Sequence, residues 1–167
     1  IPKLTIIHEE GVGLLMPFLD GLTFKKMMSL RKNTSRAFQI SELIPILKSL
    51  RDGLAPLHDD GIAHGGIKPE NLILSASEAL GQTVTLRDVR LSEAIGLEIF
   101  SRAQRASGQG HFIAPEIASN KLTPASDIYS IGALFFEALT GQSIQVKRPL
   151  RDFLPINGIE PLDRLLE

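Results

Sequence analysis

One apolar stripe between residues 41 and 58 constrains the fold of this chain more than any other sequence feature. Its members recur at steps of three and four residues, and they are Leu43, Leu47, Leu50, Leu54 and Leu57. This spacing is typical of one buried face of an α-helix. Ser41 is the predicted N-cap, Pro45 falls in the predicted first turn, and Pro56 is expected to kink the last turn. Such a helix needs a partner that covers its apolar face.

A second amphipathic segment over residues 127–140 can supply that partner. The side chains predicted to point inward are Ile128, Ile131, Phe135 and Ala138. Gly141 follows directly and is typical of the left-handed residue that ends a helix. We therefore expect the two helices to pack together in the core.

The remaining elements are shorter. Residues 4–7 and 12–18 predict a β-hairpin, and residues 72–74 and 84–86 predict a second one. Residues 22–30 predict a helix. Its side chains Phe24, Met27 and Met28 are expected to face inward, and Lys25 and Lys26 to face solvent. Residues 91–113 show little periodicity and are interpreted as a long surface loop. The order of elements predicts an α+β fold that is mainly helical.

Composition excludes several classes of function. A length of 167 residues suits one domain or a large part of one, and a net charge of -1 does not favour nucleic acid as a partner. The chain has no cysteine, which excludes disulfides and thiolate metal sites. The longest apolar run is too short for a bilayer and the first residues do not resemble a signal peptide. A cytoplasmic location without membrane insertion is the resulting expectation.

Four motifs in a fixed order carry a family resemblance. Residues 64–71, His-Gly-Gly-Ile-Lys-Pro-Glu-Asn, resemble the His-Arg-Asp-Leu-Lys-Pro-Glu-Asn catalytic loop of protein kinases. Residues 87–90 stand where that family has Asp-Phe-Gly. Residues 108–116 resemble the segment ending in Ala-Pro-Glu, and residues 126–132 resemble Ser-Asp-Val-Trp-Ser-Leu-Gly. Small-molecule phosphotransferases with a His-Gly-Asp loop are a rival, although the last two motifs favour the protein kinases.

The resemblance implies a protein kinase-like C-terminal lobe. Residues 1–21 correspond to the end of the N-lobe and the hinge, and residues 22–167 to a C-lobe truncated near its C-terminal end. Most of the N-lobe, including the glycine-rich loop and the strand lysine, is not represented in these residues. Residues 142–157 are short for the family's docking helix, and residues 158–167 resemble the start of a late helix.

The same resemblance assigns a nucleotide site for ATP and magnesium. Adenine would contact Met16 as gatekeeper, the backbone of Pro17 and Leu19, and Ile73 as floor. Phosphate would contact Lys68, and the metal ligands would be Asn71 and Asp88. His64 and Asp127 are interpreted as structural, with Asp127 accepting backbone N–H bonds from the catalytic loop.

The departures from the family pattern surround one site. Gly66 replaces the catalytic aspartate, so no catalytic residue is assigned there. Further replacements are Gly65 for arginine, Val89 and Arg90 for Phe-Gly, and Gln109 for threonine. These changes predict a pseudokinase that acts in signalling as a regulator or scaffold for a protein partner, with nucleotide binding still open. The alternative is a weak or atypical ATP-dependent Ser/Thr protein kinase or phosphotransferase.

Overall fold

The computed structural model describes residues 3–5, 13–15, 18–33, 38–77 and 81–144. Its helices are α1 (Phe24–Asn33), α2 (Ile40–Asp59), α3 (Leu91–Ile95), α4 (Leu97–Ala106) and α5 (Pro124–Thr140). Its strands are β1 (Lys3–Thr5), β2 (Gly13–Leu15), β3 (Leu22–Thr23), β4 (Leu72–Ser77) and β5 (Gly81–Leu86). Short 3₁₀ turns span Pro69–Asn71, Gly110–Phe112 and Pro115–Ser119. This content confirms the mainly helical α+β class.

Helix α2 forms as predicted, but its cap and its buried face differ in detail. The N-cap is Gln39 rather than Ser41, and the Gln39 backbone N–H donates to the Glu42 carboxylate at 2.9 Å. The helix therefore starts at Ile40, which places Pro45 in the second turn, and it continues through Pro56 to Asp59.

The buried stripe of α2 contains one residue that the sequence reading missed and lacks two that it included, since Leu47 is exposed and Leu57 is only half-buried. The buried members are Leu43, Ile46, Leu50 and Leu54. Leu47 is 44 % exposed, so the prediction that it lies inside was wrong. Successive helical residues are rotated by about 100°, so Ile46 and Leu47 flank the stripe on opposite sides, and the core covers only the side of Ile46.

Helix α5 packs against α2 and begins earlier than predicted. Thr123 is its N-cap, and the Thr123 backbone N–H donates to the Ser126 hydroxyl at 3.2 Å. Ile128 is 59 % exposed, which corrects the prediction that it points inward. Leu134 is fully buried instead, because the inward face runs through Asp127, Ile131 and Leu134. Gly141, at φ 70°, ends the helix as predicted.

One hydrophobic core joins these helices to α1 and β4. Its buried members include Phe24, Phe38, Leu43, Ile46, Leu50, Leu54, Ile67, Leu72, Ile131, Leu134 and Ala138. Phe24 and Phe38 lie with ring centroids 5.3 Å apart, and Met27 and Met28 pack against the cluster as expected for α1. The core thereby fixes the ends of α2 and α5, which are the elements that hold the loop between residues 62 and 68.

Both predicted hairpins are present. Strand β1 pairs antiparallel with β2, and β4 pairs antiparallel with β5 from Leu72 opposite Leu86 to Ser77 opposite Gly81. The sequence reading did not predict β3, whose two residues pair with Ile73 and Leu74 of β4. Gly21, at φ 145°, precedes β3, and a side chain there would collide with the Leu74 carbonyl. This close approach ties the chain before α1 to the central sheet.

Most of the segment 91–113 is helical, with α3 and α4 covering Leu91–Ile95 and Leu97–Ala106, which corrects its interpretation as a long loop. Helices α3 and α4 are separated only by Gly96 at φ 90°. Only Phe100 and Ser101 of α4 are buried, while Ile95 and Ile99 are 43 % and 62 % exposed. The glycine and the exposed isoleucines together mask the helical period. None of the helices in the described ranges combines the length and apolar character that crossing a bilayer requires. The predictions for residues 145–167 lie outside the described residues.

Candidate functional site

The loop after α2 is held in place by one buried carboxylate on α5. Asp127 is 1 % exposed and accepts the backbone N–H of His64 at 2.7 Å and that of Gly65 at 2.9 Å. His58, near the end of α2, places its Nε2 2.8 Å from the same carboxylate. The structural role predicted for Asp127 is confirmed, and it connects both core helices to the loop.

His64 is fully buried beneath this loop. Its Nδ1 accepts the backbone N–H of Gly66 at 3.2 Å. Burial lowers the pKa of His64 below its ordinary value, and the charge of Asp127 opposes that effect only in part. The imidazole is therefore neutral at pH 7 and shapes the turn, as the sequence reading expected of a structural histidine.

Two adjacent glycines of the loop differ sharply in the space around them. Gly65 has φ +73°, and a Cβ there would overlap the Ser92 hydroxyl and lie 2.8 Å from Leu122 Cδ2. Gly66 lies outside the left-handed region, and the nearest atom to its Cβ position would be Asn71 Nδ2 at 3.7 Å. The position of the missing arginine is closed to side chains, whereas the position of the missing aspartate is open.

The two predicted metal ligands lie beside Gly66. Asn71 is buried and donates from Nδ2 to the Gly66 carbonyl at 2.8 Å, which leaves its Oδ1 as an acceptor. The Asp88 backbone carbonyl would be 3.8 Å from a Gly66 Cβ, and the Asp88 carboxylate lies 3.3 Å from Arg87 Nε. Asp88 adopts φ 63°, an uncommon conformation for a residue other than glycine.

This donor set suits magnesium only in company with phosphate oxygens. The described residues contain no group of three or more His, Cys, Asp or Glu side chains that could hold a metal. One carboxylate and one amide oxygen match the way Mg²⁺ is held when a substrate's phosphates complete its octahedral shell. Asp88 and Asn71 would therefore hold magnesium as part of a metal–nucleotide complex, in which the ion would neutralise phosphate charge.

Lys68 is bound by side chains from the segment that follows Asp88. Its Nζ donates to Gln104 Oε1 and to Gln109 Oε1, both at 3.1 Å. Burial lowers the pKa of Lys68, and the carboxylates of Glu70 and Asp88 oppose that shift. Gln109 also donates to Glu70, which in turn pairs with Lys25 of α1. Gln104 was missed because the segment had been interpreted as a loop.

Helix α4 fills the space beside the loop. The cavity that Gly66, Lys68, Phe100 and Gln104 line has a volume of about 10 Å³, which is roughly what one water molecule requires. Phe100 is 7 % exposed and lies on the face of α4 that packs toward the loop. Helix α4 therefore packs closely against the loop.

Comparison with known proteins agrees with the order of motifs and with this geometry. The family model for the protein kinase domain matches residues 5–152. The chain belongs to the protein kinase family.

Bacterial members of this kinase family are among its similar relatives. A probable serine/threonine-protein kinase PknB of Lactococcus lactis is 32% identical over 135 residues, which cover 80% of this chain and 20% of the relative. The serine/threonine-protein kinase pkn2 of Myxococcus xanthus is 33% identical over 159 residues, covering 90% and 18% respectively. The chain thus spans about a fifth of the length of these kinases.

The structure describes only some of the residues that were predicted to contact adenine. Ile73, the predicted adenine floor, is 6 % exposed in β4 between Thr23 and Thr85. Leu19 is 38 % exposed and precedes β3. Met16 and Pro17 lie outside the described residues, so their predicted adenine contacts stay predictions.

Glu116 of the Ala-Pro-Glu motif forms a side-chain hydrogen bond with helix α5. In the structure, the Ser126 hydroxyl donates to Glu116 Oε1 at 2.6 Å. This bond joins the 3₁₀ turn Pro115–Ser119 to the first turn of α5 and anchors the end of the segment that carries α4.

Proposed function

We propose that this chain is a pseudokinase domain that regulates or scaffolds a protein partner through its folded surface. The observation that supports this most directly is Gly66 in the position of the catalytic base. Kinase chemistry relies on an aspartate there to accept and orient the substrate hydroxyl. Glycine supplies no acceptor side chain, and the neighbouring Gly65 has none either.

The packing of α4 supports the same proposal. Gln104 and Gln109 hydrogen-bond the lysine that would contact the transferred phosphate. Phe100 of α4 also lies beside the loop, so the segment that follows Asp88 packs against the region of the missing base. Loss of the base and the hydrogen bonding of Lys68 are independent obstacles to phosphoryl transfer.

Nucleotide binding is part of the proposal and needs a separate test. Asp88 and Asn71 offer oxygen ligands for a magnesium–ATP complex, and the third proton of the Lys68 ammonium remains for a phosphate. We expect millimolar Mg-ATP to raise the melting temperature of the full-length protein. The rise should disappear in Asp88→Ala and persist in Asp52→Ala, an exposed carboxylate on α2. An absent shift in the wild type would remove nucleotide from the proposal and leave the scaffold alone.

Catalysis is tested with radiolabelled ATP and generic protein substrates. We expect no robust phosphate transfer, since a positioned base contributes roughly 10²–10⁴-fold to such reactions. Gly66→Asp should not restore much activity although a Cβ there meets no atom closer than 3.7 Å, because Gln104 and Gln109 still bind Lys68. Clear wild-type activity that vanishes in Asp88→Ala would contradict the pseudokinase assignment.

A weak phosphotransferase is the second candidate. The proximity of Asn71 and the Asp88 backbone to an open Gly66 position favours it, because the surroundings of the base position remain assembled. Positioning and electrostatics supply most of the catalysis in this reaction class, so a residual rate without the base is chemically reasonable. Strong rescue by Gly66→Asp would favour this candidate over the scaffold.

A further inference from the structure

A second cleft lies along α4 and contains none of the residues assigned to the nucleotide site. It lies between α4 and the 3₁₀ turn Pro115–Ser119 and has a volume of about 580 Å³. Its lining combines the polar side chains of Glu98, Ser101, Arg102, Arg105 and Asn120 with the apolar ones of Ile117 and Ala118. None of these residues belongs to the four kinase motifs, so the proposed function does not explain why they gather there.

The two arginines of the cleft are the feature that calls for a ligand. The described ranges contain six arginines, and Arg31, Arg51, Arg87 and Arg90 each form an ion pair with a carboxylate. Of these six described arginines, Arg102 and Arg105 are the two that form neither an ion pair nor a side-chain hydrogen bond. They are three residues apart on α4, so their side chains project from neighbouring points of one helix face.

Local packing fixes part of this cationic pair. A Cβ at Gly110 would lie 2.8 Å from Arg105 Cγ, so the stem of Arg105 rests on bare backbone at that glycine. Ser101 lines the same cleft, is 6 % exposed, and has a buried hydroxyl with no hydrogen-bond partner. A buried polar group without a partner is costly and is often satisfied by a ligand or ion.

We propose that this cleft binds a phosphomonoester, presented as a phosphorylated serine or threonine on a partner segment. Guanidinium groups bind phosphate through paired charge-assisted hydrogen bonds, and arginine clusters are a common means of recognising phosphorylated peptides. With Glu98 included, the lining keeps a formal charge of +1, which favours an anionic ligand. The volume matches sites that enclose ligands of many atoms, so the cleft accommodates the residues flanking a phosphate as well as the phosphate itself.

The test is a binding titration on the full-length protein with three probes. These are a capped Gly-phosphoserine-Gly peptide, its unphosphorylated twin, and inorganic phosphate, each followed by amide chemical-shift changes. We expect saturable binding of the phosphopeptide with shifts confined to α4 and residues 115–120. Arg102→Gln and Arg105→Gln should each weaken phosphopeptide binding about five-fold, which is the size of effect expected when one charge-assisted hydrogen bond at a solvent-exposed site is lost. Arg51→Gln, an exposed arginine on α2, is the matched control and should change nothing.

Each outcome decides the assignment. Equal binding of both peptides, or phosphopeptide binding that survives the Arg102→Gln/Arg105→Gln double variant, overturns the proposal. No saturable binding of any probe also overturns it. If inorganic phosphate binds as tightly as the phosphopeptide, the cleft is an anion site, and the proposal that it recognises a phosphorylated peptide is overturned. Binding should weaken as salt rises, since the contacts are charged and solvent-exposed.

Discussion

Substitution of the adjacent glycines in the catalytic-like loop provides a matched pair of variants. In Gly65→Ala, the new methyl group would overlap the Ser92 hydroxyl and lie 2.8 Å from Leu122 Cδ2. Ser92 is itself fully buried, so its side chain has little room to move. The left-handed backbone at φ +73° costs an alanine about 1–2 kcal/mol, and overpacking costs about 1–3 kcal/mol. We expect Gly65→Ala to lower the free energy of unfolding by about 2–5 kcal/mol.

Gly66→Ala is the control for this loss. Its methyl group meets no atom closer than 3.7 Å, and its backbone suits an L-residue. We expect a free energy of unfolding within about 1 kcal/mol of the wild type, or slightly above it, because alanine restricts the unfolded chain. Urea denaturation followed by circular dichroism gives both values from the midpoint and slope. Equal stabilities of the two variants within about 0.5 kcal/mol would refute the reasoning from packing at Gly65.

Three further predictions concern the core and the buried polar groups. Asp127→Ala leaves two buried backbone N–H groups without their acceptor, so we expect about 2–6 kcal/mol of destabilisation in urea, against no more than about 0.5 kcal/mol for the exposed Asp52→Ala. The pKa of His64 is lower in the folded state than in the unfolded state, so the unfolded state binds a proton first as the pH falls. The free energy of unfolding should therefore be full above about pH 6.5 and should decrease on acidification. The melting temperature should be lower at pH 5.5 than at pH 7.5. If the His64→Asn variant shows a decrease of equal size, the pH dependence does not come from His64. Leu54→Ala should cost about 2–5 kcal/mol by the same denaturation assay and Leu47→Ala less than about 1 kcal/mol, with the reverse order contradicting the observed face of α2.

The features that the sequence predicted well have strong local or motif signals. Both long helices and both hairpins were found, because leucine spacing and short apolar runs report directly on burial. The errors at Leu47 and Ile128 share one cause. An apolar residue next to the buried face of a helix has the spacing of a member of that face. Only the packing of the rest of the fold decides which of two neighbouring positions is buried.

The parts that escaped prediction depend on distant partners. Strand β3 has only two residues and exists because β4 lies beside it. Helix α4 buries little of its own surface, so its sequence resembles a loop. The hydrogen bonds of Gln104 and Gln109 to Lys68 followed from neither composition nor motif, since they require the helix to be placed first. The predicted contacts of Asp127, by contrast, came from the family resemblance and were confirmed.

The supports of the loop at His64 and Gly65 also determine when it can become ordered. Asp127, the acceptor of both backbone N–H groups, lies 63 and 62 residues away in the chain. Closing a loop of that length is slow compared with forming a helix, and it yields no stabilising contact until α5 docks on α2. The two amide protons should therefore exchange with solvent only when the helix pair separates, at rates close to those of the α2 core. The loop is not an independent folding unit, and it stays ordered only while α2 and α5 remain packed together.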